Sequence, residues 1–369
     1  MNKQLANVLK FLLFIGVGFG ILFLLYRSQQ AAYLLQCQED GIPADQCSLL
    51  DKLAADFRSV NAWWLLMTLI AFCVSNLSRA LRWNMMLRVF GSKPSLSNAF
   101  LTINLGYFAN LGFPRLGEIL RSATMARYEK ISLERVVGTV VVERIVDVIM
   151  ILCATALALF LGRETIMDWV LETVDLSKFA SLTWVLGVVA VITLLFLFLA
   201  WHQRQRILAT TVGQKIINIL KGFGEGIQTA LQVKTPALFA VHTLNIWVMY
   251  FLMTVFTFYA FAPTADLPYV AALVTFVSGG WGIVIPSPGG MGTYHLLTGE
   301  ALQLYGVSAL NAFSWANISF FSISVGCNVL IGGLALLILP IINRGGEVAG
   351  AKVVGEEPGP HNKKPRANI

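Results

Sequence analysis

The sequence predicts an all-α polytopic membrane protein with six full transmembrane crossings and two re-entrant broken hairpins, arranged as an inverted-topology repeat. Three observations predict it. The 369 residues are 56% hydrophobic and only 13% charged, with a mean hydropathy of +0.70, whereas soluble domains carry roughly 25% charge. Six apolar runs come near the ~20-residue length that a bilayer demands. Two more apolar stretches, GYFANLGFPRLGE at Gly106 to Glu118 and VSGGWGIVIPSPGGMGT at Val277 to Thr293, are broken by Pro and Gly. Within a bilayer, backbone leaves the helical path only where protein or a wet cavity surrounds it.

The six runs are Val8 to Tyr26, Val60 to Leu81, Val136 to Leu161, Leu182 to Trp201, Ala237 to Phe261 and Phe313 to Pro340. The first follows Lys3 and Lys10 like a signal peptide, but it is long and no small-x-small cleavage site follows, so it reads as a retained helix. Loop charge orients the crossings. The loop from Arg27 to Ser59 sets Arg27, Lys52 and Arg58 against Glu39, Asp40, Asp45, Asp51 and Asp56, and Gly162 to Ala180 is also net acidic. Arg79 to Arg135 and His202 to Thr235 are strongly basic. Lys and Arg accumulate in cytoplasmic loops, so the acidic loops read as outside and both termini as cytoplasmic.

A crossing at Leu96 to Phe113 would put the following Arg-rich segment outside, against that bias. A hairpin dipping in from the cytoplasm avoids the conflict, and the second broken stretch should dip in from the opposite face. Val8 with Leu182, Val60 with Ala237, Pro114 with Pro286 and Val136 with Asn311 are offset by 172 to 177 residues. The chain therefore divides into a first membrane repeat at 1–180 with a hairpin near 96–122, a second, inverted repeat at 181–342 with a hairpin near 269–305, and a disordered cytoplasmic tail at 343–369. Such repeats hold substrate near the midplane, where helices are interrupted. Thr211 to Gln232 has helical apolar spacing and reads as an amphipathic connector on the membrane.

Three constellations carry chemistry. After Pro114, RLGEILRSATMAR restarts a helix with Arg115, Glu118 and Arg121 near its start. Helix N-termini and Arg forks both favour an anion such as phosphate. Glu118 would hold Arg121 or Arg115 in place or take a proton; alternatively these are interfacial Arg residues beside a helix-starting Glu. Ser287, Gly289, Gly290 and Gly292 form the second hairpin's tip, where bare backbone would meet a ligand. His295 on the emerging helix is either a ligand contact or a hydrogen-bonded packing residue. In VVERIVDVIM, Glu143, Arg144 and Asp147 lie in an apolar helix, with Glu143 and Asp147 on one face. Each costs about 2.5 to 3.5 kcal/mol at the membrane centre unless paired, and Arg79 or Arg82 of SRALRW is the natural partner. That network reads either as a structural link between helices or as a gate or headgroup contact. His242 and Asn245 read as interhelical hydrogen-bonding groups.

Cys37 and Cys47 share the acidic outer loop, where a disulfide can form. Cys73, Cys153 and Cys327 sit in apolar helices and read as small buried hydrophobes. The sequence has no Cys/His spacing for zinc, no P-loop, no acidic metal motif of a glycosyltransferase and no GxSxG. We therefore expect no metal or cofactor and no ATP-driven pump. The formal charge of +7 belongs to the cytoplasmic loops, so no nucleic-acid partner is expected.

SRALRW, NLGFPRLGEILR, ERIVD and IPSPGGMGTYH, in this order, resemble the family of the lysylphosphatidylglycerol synthase transmembrane region, also called the flippase-like domain family. The resemblance spans about Leu65 to Pro340. It implies a bacterial or archaeal inner-membrane protein, and in the fused enzymes of the family this region moves an aminoacylated phospholipid between leaflets. Arg115, Glu118 and Arg121 match its P-R-x-G-E-x-x-R pattern, Glu143, Arg144 and Asp147 its ER-x-x-D pattern, and Ser287 to Gly292 its S-P-G-G-x-G pattern. His295 departs from the Glu that family members often carry there. The aminoacyl-transfer domain is absent from this sequence. The expectation is a lipid flippase whose partner is a membrane lipid with an anionic headgroup. The alternatives are a membrane enzyme or enzyme subunit working with a lipid-synthesising partner, and a secondary transporter of a small anion.

Overall fold

The computed structural model describes residues 20–31, 33–35, 37–38, 43, 47–112, 116–173, 232–285 and 290–353. Every regular element among them is helical. Beyond the helical residues at 20–31, 33–35 and 37–38 and a 3-10 turn at Ala262–Thr264, these are, in order, α1 (Leu49–Ser59), α2 (Ala62–Arg88), α3 (Leu96–Gly112), α4 (Leu116–Glu129), α5 (Leu133–Leu161), α6 (Arg163–Thr173), α7 (Pro236–Ala260), α8 (Tyr269–Val284), α9 (Thr293–Gln303), α10 (Ala309–Ser319) and α11 (Asn328–Val353). A π-helical segment, Phe320–Cys327, joins α10 to α11.

Among the described residues, four helices have the length and composition to cross a membrane: Ala62–Arg88, Leu133–Leu161, Pro236–Ala260 and Ala309–Arg344. They cover four of the six expected runs. The run at 182–201 lies outside the described residues, as does that at 8–26 except for its helical residues 20–26. The connector at 211–232 is likewise outside them but for its last residue.

Several boundaries differ from the sequence reading for physical reasons. Helix α2 runs seven residues beyond Leu81, because Arg82, Trp83, Met86 and Leu87 are fully buried partners of the bundle rather than loop residues. Helix α4 continues to Glu129, past the expected hairpin limit at 122. Helix α11 continues through Asn343 to Val353, where a disordered tail was expected from 343. The acidic loops also hold helices the sequence reading missed. In α1 the Ser48 side chain caps the Asp51 amide at 3.3 Å; Leu49 packs on Leu310 and Phe313, and Asp56 accepts from Ser314 at 2.5 Å. Cys37 and Cys47 are joined by a disulfide next to α1. Cys327 is buried as expected, but Cys153 is exposed, because it lies on the outward face of α5.

Helices α2 and α7 pack along their lengths in opposite directions. The Asn61 amide, at the start of α2, donates to the Ala260 carbonyl at the end of α7 (2.9 Å). Further along, Asn245 donates to Ser78 (2.7 Å), and the Trp64 ring lies 5.8 Å from that of Phe256. Two shorter hairpins flank this pair: α3 packs on α4, and α8 on α9. Long helices close over them, α5 against α8 and α11 against α3.

Glycine sets the closeness of the first hairpin. A Cβ on Gly106 would lie 2.8 Å from the Gly117 carbonyl, and one on Gly117 would strike the Gly106 carbonyl. The freed space lets the Gly117 amide donate to Asn110 Oδ1 at 2.8 Å. Small residues permit this kind of contact in membranes, where packing replaces the hydrophobic drive between helices. Gly117→Ala should destabilise the protein by about 2 kcal/mol or more through overpacking. Gly138→Ala on α5 meets no atom within 4 Å and should be neutral or stabilising by about 0.5–1 kcal/mol. Denaturant unfolding in detergent micelles compares the two; equal effects would refute the packing account.

Candidate functional site

Helix α2 turns a polar face inward. Thr68, Ser75, Asn76, Arg79 and Arg82 recur at helical spacing and all are buried, Arg79 to 2% and Arg82 to 0% exposure. Guanidinium groups survive in such a place only when paired. Their partners stand one turn apart on α5, where Glu143 and Asp147 share a face by their i, i+4 spacing. Asp147 accepts from Arg79 Nη1 (3.1 Å) and Arg82 Nη2 (3.2 Å). Glu143 has no exposed surface and pairs directly with Arg121 of α4. Arg82 and Arg79 stand 3.6 and 3.9 Å from its other oxygen.

Neighbouring side chains complete the arrangement. Arg79 Nη2 donates to the Tyr250 hydroxyl (3.1 Å) and Arg82 Nη1 to Thr243 Oγ1 (3.2 Å), which brings α7 into the cluster. The Arg121 guanidinium lies 4.8 Å from the centroid of the Trp83 ring, a cation–π distance. Trp83 is itself held by its indole N–H on Thr139 (2.8 Å). Toward the surface, Arg144 Nε pairs with Glu118 at 3.1 Å and Arg144 Nη1 stands 3.6 Å from Asp147. Arg144 and Glu118 side chains are 43% and 39% exposed. The charges thus form a line from an accessible outer pair through Asp147 to a sealed inner group.

The line is unbalanced. Among the described residues, Arg79, Arg82, Arg121 and Arg144 face Glu118, Glu143 and Asp147, so one positive charge is in excess there. The Nε groups of Arg79, Arg82 and Arg121, Arg121 Nη1 and Glu143 Oε1 are buried without a hydrogen-bond partner among the described residues. A buried polar group left unpaired costs about 1–3 kcal/mol, and a set of orphaned guanidinium donors is chemically suited to an added oxyanion.

The structure brings Arg79, Arg82, Glu118, Arg121, Glu143, Arg144 and Asp147 together. Arg115, Ser287 and Gly289 lie outside the described residues. Of the two arginines expected beside Glu118, Arg121 is not its partner: three residues apart on α4, the two project to different neighbours, Glu118 to Arg144 and Arg121 to Glu143. His295 is 2% exposed. Its ring lies 4.8 Å from that of Phe320 and 6.4 Å from that of Phe313, in an aromatic setting distinct from the charged line. Gly290 has φ +84° and turns tightly against Ile283. Tyr250, Thr243, Trp83 and Thr139 went unread, although Trp83 lies within SRALRW.

Long apolar helices around a paired, buried charge cluster define a multi-pass membrane protein. Residues 48–344 match the model of the lysylphosphatidylglycerol synthase TM region, and the chain belongs to that family, a membrane domain linked to lipid handling. It is also similar to a UPF0104 membrane protein of Methanocaldococcus jannaschii, with 25% identity over 139 residues. That match covers 37% of this chain and 39% of the relative. No solved structure matches the chain.

Removing one partner from a buried ion pair strands the other. Asp147→Ala should therefore cost about 3–5 kcal/mol of stability, whereas Arg144→Ala at the exposed end should cost about 1 kcal/mol or less. Unfolding in detergent measures both, and a larger loss at Arg144 would contradict the layered reading.

Proposed function

We propose that this protein is a lipid flippase of a bacterial or archaeal inner membrane, carrying a phospholipid or lipid-linked phosphate whose anionic headgroup passes along the buried charged line. The observation that carries this reading is the excess positive charge around Arg121, with guanidinium donors buried and unpaired. The exposed Glu118–Arg144 pair is the point of access, and Arg121, Arg79 and Arg82 take the phosphate inside. Acyl or prenyl chains remain in the bilayer, so only the headgroup needs a polar path.

The architecture supports the same proposal. In an inverted repeat of six crossings with both termini cytoplasmic, α2 to α5 correspond to α7 to α10. Their starts are offset by 174, 173, 177 and 176 residues, taking Ala62 with Pro236, Leu96 with Tyr269, Leu116 with Thr293 and Leu133 with Ala309. Their contacts pair off: α2–α3 with α7–α8, α3–α4 with α8–α9, α4–α5 with α9–α10, and α2–α5 with α7–α10. The antiparallel course of α2 and α7 is what opposite orientation of the halves requires. Hairpins α3–α4 and α8–α9 are then re-entrant from opposite faces, the arrangement used by transporters whose sites lie at broken helices.

In proteoliposomes, wild-type protein should exchange labelled phosphatidylglycerol between leaflets, and Arg121→Ala should slow exchange by about tenfold or more, the scale of losing one close charge contact. Surface Arg163→Ala serves as the control. Equal rates for wild type and Arg121→Ala would contradict the assignment, and uptake of soluble phosphate without lipid movement would favour a small-anion transporter. For topology, single cysteines at Lys93 and Lys130 should react with an impermeant maleimide from the cytoplasmic side, and those at Asp266 and Gly306 from outside. Labelling of Lys93 and Lys130 from opposite sides would refute a re-entrant first hairpin.

A further inference from the structure

The two buried carboxylates of the cluster are held differently. Both oxygens of Asp147 accept hydrogen bonds, one from Arg79 and one from Arg82. Glu143 is gripped on one side only: its Oε2 meets Arg121, while its Oε1 accepts no hydrogen bond. Arg82 and Arg79 wait 3.6 and 3.9 Å from that free oxygen. Arg121 is likewise half used. Its Nη2 is spent on Glu143, and its Nε and Nη1 are buried and unpaired.

Carboxylate and phosphate both pair bidentately with a guanidinium, but Glu143 uses only one of its oxygens on Arg121, which leaves guanidinium donors that a phosphodiester's two charged oxygens can take up. We propose that Glu143 is a resident counter-anion, occupying Arg121 in the unloaded protein and displaced from it by a phosphate oxyanion of the substrate. This rests on the lipid-transport reading for the source of the phosphate, but not for the exchange itself.

The displaced carboxylate has somewhere to go. Arg82 and Arg79 are already within a short rotation of Oε1, so Glu143 leaves Arg121 without becoming an uncompensated buried charge, the state that makes broken buried pairs costly. The charge count closes as well. One phosphodiester anion cancels the single excess positive charge of four guanidiniums against three carboxylates among the described residues, leaving those seven groups and the anion neutral together. Glu143 then also acts in release, because a bound phosphate must compete with a carboxylate tethered beside the same guanidinium. A site with no such competitor would hold its anion tightly and turn over slowly.

The test uses the full chain in phosphatidylcholine nanodiscs, with short-chain dihexanoyl phosphatidylglycerol and inorganic phosphate as separate probes. Two variants are compared with wild type. Glu143→Gln removes the competing charge, and Glu143→Asp keeps the charge that folding needs but shortens its reach to Arg121. Both should bind dihexanoyl phosphatidylglycerol more tightly, Glu143→Gln by about tenfold or more, and both should slow leaflet exchange in proteoliposomes. A folded Glu143→Asp protein that binds no more tightly than wild type overturns the proposal, whatever becomes of Glu143→Gln. Tightening seen with inorganic phosphate alone keeps the exchange and sinks the lipid reading. Loss of lipid exchange in Arg121→Ala with affinity unchanged in both Glu143 variants keeps the lipid reading and sinks the exchange.

Discussion

The pairing of three buried guanidiniums with two carboxylates is the constraint on which the rest of this structure depends. A charge in hydrocarbon must find a partner or carry a penalty of several kcal/mol, and here the partners sit on different helices. Arg79 and Arg82 belong to α2, Arg121 to α4, and Glu143 and Asp147 to α5. Tyr250 and Thr243 bind α7 to the same group. One cluster therefore fixes the relative positions of four helices, including an arm of the first short hairpin.

That arm reaches the cluster because α3 and α4 touch at glycine. Gly106 and Gly117 leave no room for a Cβ between them, and a Cβ on Gly106 would also lie 3.2 Å from the Cβ of Arg121. Backbone packing in the hairpin thus sets where the Arg121 side chain begins, and a movement of α4 moves the charge. The second hairpin is built differently. Glu118 is the third residue of α4 and His295 the third residue of α9, yet Glu118 meets Arg144 whereas His295 meets Phe320. At these corresponding positions of the two hairpins, the first makes a charged contact and the second an aromatic one.

Much of this was legible in the sequence where one residue type has one physical meaning. Long apolar runs mark candidate crossings, so α2, α5, α7 and the helix from Ala309 were visible, apart from the polar last two turns of α2. Charges inside them must pair, so the link between SRALRW and ERIVD could be drawn without coordinates. What escaped were choices that depend on direction in space. Glu118 and Arg121 are equally suited to pair with each other by spacing, and only the nearness of α5 sends them to separate partners. Tyr250 and Thr243 look like ordinary helix residues until α7 is laid against α2. Helix α1 was hidden because its pattern, LLDKLAADFRS, is that of a polar loop until Leu49 finds Leu310 and Phe313. Of the expected site residues, Arg115, Ser287 and Gly289 lie outside the described residues.

The most direct measurement is an experimental density map of the protein in nanodiscs containing phosphatidylglycerol. A lipid phosphate within hydrogen-bonding distance of Arg121, with Glu143 turned toward Arg79 and Arg82, is the result expected here. Arg121 closed on Glu143, with lipid only on the outer surface of the helices at saturating phosphatidylglycerol, would contradict it.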